Sequence, residues 1–165
     1  MSNYFNGTKE HPYHLSVGAV VLNDRNEVFC HYFTSTELYG GCYKNLYLLM
    51  RETLEVGETL ETAVHRGLLE ECGVEAIIET YIGAVTSEFP RGSIQVKKTT
   101  LYFLCNLVKF DASLRDMSDP EAGSEIKFLP IDFLISKMST QHDLYKRSDL
   151  DEVSILESTK KYKNI

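Results

Sequence analysis

A chain of 165 residues with 43% hydrophobic and 25% charged residues has the composition of one folded globular domain spanning residues 1–165, with no disordered segment. Its formal net charge of -7 and pI near 5.2 argue against general binding to a nucleic-acid polymer, because the phosphate backbone would be repelled. The longest apolar runs, such as Val17 to Leu22 and Leu101 to Leu104, are far short of the roughly 18 residues needed to span a bilayer, and Met1 to Glu10 lacks the basic and apolar stretches of a secretory signal; a cytoplasmic location follows.

In chain order, His14 to Leu22 is apolar and β-branched, Asn23-Asp24-Arg25-Asn26 is a turn cluster, and Glu27 to Phe33 alternates, which together predict a hairpin. Thr34 to Asn45, rich in small and polar residues and containing Gly40-Gly41, reads as a loop before a short strand at Leu46 to Met50. A helix is predicted from about Thr59 to Cys72. Thr59 serves as N-cap, Gly73 as the C-terminal glycine, and Leu60, Ala63, Val64 and Leu68 recur at helical spacing. Strands follow at Ala76 to Thr86 and Ile94 to Leu107 around a turn at Glu88 to Ser93. Then come a polar loop from Asp111 to Ser124, a strand at Glu125 to Leu129, a helix at Ile131 to Met138 and a last helix at Ser148 to Lys161, with Ser148 and Asp151 as a capping-box-like start. The four cysteines, Cys30, Cys42, Cys72 and Cys105, show no C-x-x-C spacing. That argues against a zinc site or a redox pair; three of them sit among apolar residues and read as core.

The segment that carries chemistry is Glu55-Val56-Gly57-Glu58, seven intervening residues, then Arg66-Gly67-Leu68-Leu69-Glu70-Glu71-Cys72-Gly73-Val74. Helical spacing puts positions 67, 70 and 71 on one side and Arg66 beside Glu70. Two adjacent carboxylates there would repel each other, and a hard divalent cation with a preference for oxygen ligands removes that conflict.

This segment resembles the Nudix box, G-x5-E-x7-R-E-U-x-E-E-x-G-U with U aliphatic, and the order of flanking elements is similar to that family over nearly the whole chain. Glu58, Arg66, Leu68, Glu70, Glu71, Gly73 and Val74 match; the first glycine of the box is Glu52 and its first helical glutamate is Gly67. The resemblance implies an α/β fold, the Nudix α/β/α sandwich with a mixed central sheet and a loop-helix-loop. It also implies an enzyme that uses Mg²⁺ or Mn²⁺ to cleave the pyrophosphate linkage of a nucleoside-diphosphate-linked small molecule. Glu70 and Glu71 are then metal ligands, Glu58 and Arg66 orient them, and Glu121 in the loop before the last strand brings a further carboxylate, a place that Glu125 is also near enough to take. The two departures favour an alternative, a non-catalytic module of the same fold that binds a nucleotide-like ligand or a protein partner. Gly67 lacks the family's carboxylate, which resembles a general base or third metal ligand, and a glycine inside a helix costs about 1 kcal/mol relative to alanine. If the base was simply lost, Gly67→Glu should raise both helix stability and turnover; the favoured expectation is that Glu121 or Glu125 has taken over the base, so that Gly67→Glu does little for the rate.

Other features have plainer readings. His11-Pro12-Tyr13-His14 precedes a strand and lacks helical ligand spacing, so a structural or substrate-edge role is expected. Of Lys97 and Lys98 only one can face a site, with Arg91 nearby, and a solvated strand face is the simpler expectation. Tyr43, Tyr47 and Tyr102 are candidates to stack on a base, although packing explains most tyrosines. No P-loop motif is present. The identity of the substrate and the oligomeric state, an assembly of copies included, stay open.

Overall fold

The computed structural model describes residues 5–38 and 41–165. Met1 to Tyr4, Tyr39 and Gly40, which fall in the N-terminal and loop segments considered above, lie outside the described residues. The elements are β1 (Tyr13–Leu22), β2 (Glu27–Leu38), β3 (Gly41–Leu48), β4 (Met50–Thr53), α1 (Leu60–Cys72), β5 (Val74–Arg91), β6 (Ile94–Phe110), β7 (Glu125–Pro130), α2 (Ile131–Met138), α3 (Gln141–Tyr145) and α4 (Val153–Lys163). One seven-stranded mixed sheet runs β3-β2-β1-β6-β5, with β4 paired to β1 and β7 to β2; β1 and β6 are parallel.

Strand alternation on β1 sorts the core into two layers. Val17, Ala19 and Val21 face α1, where they meet Ala63, Val64, Leu68 and Cys72. Val20 and Leu22 face the other side, against Leu134, Met138, Ile155 and Leu156 of α2 and α4. The expected α/β/α sandwich is therefore built by helices covering both faces of the sheet. Thr59 caps α1 by accepting from the Thr62 N–H, and Gly73 ends it in the left-handed region at φ 66. Both were legible from the sequence.

Several expectations need correction. The β1–β2 hairpin is paired only near its turn, at Leu22 and Val28, because β4 takes the β1 edge from Ser16 to Ala19 and β7 takes the β2 edge from Glu27 to Tyr32. The segment read as a loop from Thr34 to Asn45 is mostly strand: Ser35 pairs with Lys44, Thr36 with Tyr43 and Glu37 with Cys42. Thr34, Thr36 and Tyr43 are residue types that suit a pleated strand despite the polar composition around them. The single strand expected at Leu46 to Met50 is two, split at Leu49, since β3 and β4 pair with different neighbours. The turn between β5 and β6 narrows to Gly92-Ser93, with Glu88 to Arg91 held in the ladder. A short 3-10 turn occupies Ser148–Leu150 and α4 begins only at Val153, with no side-chain cap; Ser148 and Asp151 form no capping box.

Candidate active site

Arg66 is the hub of the site. Its Nε and Nη2 grip the Glu58 carboxylate in a two-pronged pair, both at 2.9 Å, while Nη2 also donates to the Thr53 carbonyl at 3.0 Å. Its Nη1 lies 3.2 Å from Glu52 Oε2 and 3.5 Å from Glu70 Oε2. The Glu58 carboxylate also accepts from the Glu55 N–H. The guanidinium thus fixes the loop before α1 to the helix, and its hydrogen bonds hold the Glu58 pKa below the usual carboxylate range.

The two glutamates expected to converge point differently. Glu71 is buried on the same face as Gly67, whereas Glu70 is about half exposed beside Arg66. Adjacent helical residues are about 100° apart, so only the i,i+4 pair, Gly67 and Glu71, shares the inner face. Burial and then the charge of Asp119 push the Glu71 pKa well up, against the charge and backbone N–H of Arg51. Glu121 is buried too, its pKa raised by burial. Glu125, the other loop candidate, is exposed and paired with Lys127 at 3.3 Å.

Arg115 brings Glu121 to the helix end. It donates to the carbonyls of Glu71, Glu121 and Ser124 and to Ser124 Oγ, tying the 120–123 turn to the C-terminus of α1. Ser124 Oγ also lies 2.8 Å from His31 Nδ1, and His31 Nε2 lies 3.4 Å from both Glu71 Oε2 and Cys72 Sγ. Burial lowers the His31 pKa to about 4, so the ring is neutral at pH 7 and meets Glu71 as a neutral polar group rather than as a charge. His31, Glu71 and Cys72 form the one group of mixed metal-donor side chains among the described residues. All three are buried, and the imidazole and the sulfur both lie beside the Glu71 end of the group. Neither Arg115 nor His31 stands out as a residue pattern, since each meets the end of α1 from a segment far along the chain.

On the side of Thr53 away from the hub opens a cavity of about 830 Å³, lined by His14, Arg51, Thr53, Arg91, Lys98 and Arg147 among others. His14 is buried and neutral, its pKa lowered to about 3 by burial and by Lys98; its Nδ1 accepts from Arg91, and its Nε2 proton reaches Thr53 and Ser16. Lys97 is exposed and paired with Glu88, while Lys98 faces the cavity, so a solvated face describes only the first of the two lysines. Burial and then Arg51 lower the Lys98 pKa to about 7. The tyrosines are structural or peripheral: Tyr102 is buried against Glu152, Tyr47 packs with Tyr32 and Phe133, and Tyr43 accepts from Arg147 at the cavity wall.

A profile of the NUDIX domain matches residues 12–148. The chain belongs to the NUDIX domain family. Among solved structures it is similar to a NUDIX hydrolase from Nitrosomonas europaea, at 19% identity over 83% of this chain and 86% of that one with a TM-score of 0.57. It is likewise similar to the MutT protein from Methanosarcina mazei Go1, at 19% identity over 87% and 93% with a TM-score of 0.57. At that identity the likeness concerns the NUDIX fold. No curated protein matches the chain significantly. Within the NUDIX domain, the side chains next to Arg66 and on the inner face of α1 include the carboxylates of Glu52, Glu58, Glu70 and Glu71, and carboxylate oxygens suit a hard divalent cation better than a soft one.

Proposed function

We propose that the chain is a divalent-metal-dependent hydrolase that cleaves the pyrophosphate linkage of a nucleoside-diphosphate-linked small molecule. The observation that carries this reading is the position of Thr53. Its carbonyl belongs to the Arg66 carboxylate hub and its side chain to the wall of the cationic cavity, so a ligand in the cavity lies next to the carboxylates.

Glu70, Glu71 and Glu121 would hold Mg²⁺ or Mn²⁺. When bound, such a cation polarises phosphoryl oxygens and makes a coordinated water more acidic. Arg66 and Glu58 keep the loop and helix in register, and His31 fixes the Glu71 carboxylate. On the substrate side, the Lys98 ammonium has no hydrogen bond or ion pair among the described residues and lines the cavity with Arg91, so it is matched to an anionic group. Attack of water on phosphorus breaks one P–O bond of the diphosphate and leaves two phosphate monoesters. Four free cysteines suit a reducing compartment, so we place the reaction in the cytosol. Among the described residues no helix is long and apolar enough to cross a membrane.

The test is incubation with a panel of nucleoside-diphosphate compounds and Mg²⁺ or Mn²⁺, scoring the monophosphate products. Turnover of at least one compound, abolished by chelator, is expected. The missing carboxylate at Gly67 favours the non-catalytic module as a second reading. That reading wins if concentrated enzyme turns over nothing while a nucleotide still raises the melting temperature.

Lys98 makes the cavity's role measurable. Lys98→Met should weaken binding of a diphosphate ligand roughly 10- to 100-fold, the usual worth of a charge-assisted contact. Because the free protein's Lys98 loses its proton near pH 7, wild-type affinity should fall as pH rises through 7 to 9, and Lys98→Arg should flatten that decline. Calorimetric titration at pH 6 and 9 checks both, and equal pH slopes in the two proteins would remove Lys98 from the binding site.

A further inference from the structure

We propose that Glu52 supplies, from β4, the metal-binding carboxylate that α1 lacks at position 67, so that the two departures from the box are a single exchange. This rests on the proposed metal site, and it concerns how that site is built. A Cβ placed on Gly67 would stand 2.6 Å from Glu52 Cβ, 3.1 Å from Glu52 Cγ and 2.9 Å from Met50 Sδ. The stem of Glu52 therefore fills the volume into which a side chain at 67 would grow. That volume lies on the buried face of α1, one turn before Glu71.

The carboxylate at the end of that stem is oriented from two sides. Its Oε1 accepts from the Thr53 N–H at 2.7 Å, and its Oε2 faces Arg66 Nη1 at 3.2 Å. The same nitrogen faces Glu70 Oε2, so Glu52 and Glu70 flank one point of the guanidinium. The Glu52 side chain is only 17% exposed; burial and the charge of Glu71 raise its pKa to about 7, with Arg66 opposing. Steric exclusion also makes the pair reciprocal. Glutamate at both positions collides close to the backbone, where neither stem can swing away, and glycine at both leaves a hole and no carboxylate. The helix tolerates Gly67 because Glu52 and Met50 need the space, which reverses the expectation that Gly67→Glu would stabilise it.

Mn²⁺ titration by calorimetry and thermal melts of wild type, Glu52→Gln, Gly67→Glu and the double exchange Glu52→Gly with Gly67→Glu test the proposal. Glu52→Gln keeps the volume, and it should lower Mn²⁺ affinity at least about tenfold, while Glu61→Gln on the exposed face of the same helix should not. Gly67→Glu alone should melt lower than wild type, and the double exchange should melt above that single variant and bind Mn²⁺ more tightly than Glu52→Gln. Wild-type Mn²⁺ affinity in Glu52→Gln, or a double exchange no better than Gly67→Glu, overturns the exchange while leaving the hydrolase reading standing. Failure of the wild-type protein to bind Mn²⁺ overturns both.

Discussion

Glu71→Gln should abolish metal-dependent turnover and, in chelator, make the protein harder to unfold at neutral pH. Glu71 is 3% exposed and faces a neutral histidine. Its folded pKa lies well above the usual 4.5 because of burial and Asp119. The sign follows from linkage: between 4.5 and the folded pKa the native state holds more protons than the unfolded chain, so stability falls as pH rises through that window. Glutamine has the same shape without the charge, so the slope should become shallower and stability near pH 8 should rise by roughly 0.5–2 kcal/mol, the usual gain when a costly functional group is removed. Metal affinity should fall by at least about 100-fold, since even residues that merely support a ligand are worth 10–100-fold. Urea unfolding at pH 5 and pH 8, beside Mn²⁺ titration of the same two proteins, reads both effects. Parallel pH dependence in wild type and variant would show that Glu71 is not the strained carboxylate of the site.

Arg51→Met should be among the most destabilising single changes, because Arg51 joins β4 to the segment that precedes α4. Its Nη1 donates to the Asp149 carbonyl at 2.7 Å, and it pairs with the Asp149 carboxylate at 3.8 Å and with Glu152 at 3.9 Å, with its own side chain and both acids almost fully buried. Glu152 also accepts from the Tyr102 hydroxyl and from the Leu49 N–H at 3.0 Å. Removing the guanidinium leaves this buried acid short of its cation, which costs about 3–5 kcal/mol when one partner of a buried pair is deleted and would lower the melting temperature by roughly 10 °C or more. Adding Glu152→Leu should recover part of the loss, since an apolar replacement of the whole pair is often neutral. Thermal melts of the two variants decide; a double variant less stable than Arg51→Met would mean that Glu152 stabilises the fold through Tyr102 and Leu49 alone.

What the sequence determined was local. Capping by Thr59 and Gly73, the apolar stripe of α1 and the spacing of Glu58, Arg66, Glu70 and Glu71 are short-range patterns, and short-range patterns are set by helical geometry before any tertiary contact forms. The layered architecture followed because the alternation in β1 requires cover on both faces. Tertiary structure decided what depends on residues far apart in the chain. It turned Glu71 inward and Glu70 outward, and through the hydrogen bonds of Arg115 it tied the turn that carries Glu121 to the end of α1 while leaving Glu125 exposed. It also set His31 behind Glu71 and brought Arg51, Lys98 and Arg147 to one cavity from three separate segments. Gly67 shows the difference most clearly. By propensity it weakens a helix, yet the space it leaves is occupied by a residue fifteen positions earlier, and only the packing of β4 against α1 discloses that Glu52 and Gly67 are one feature.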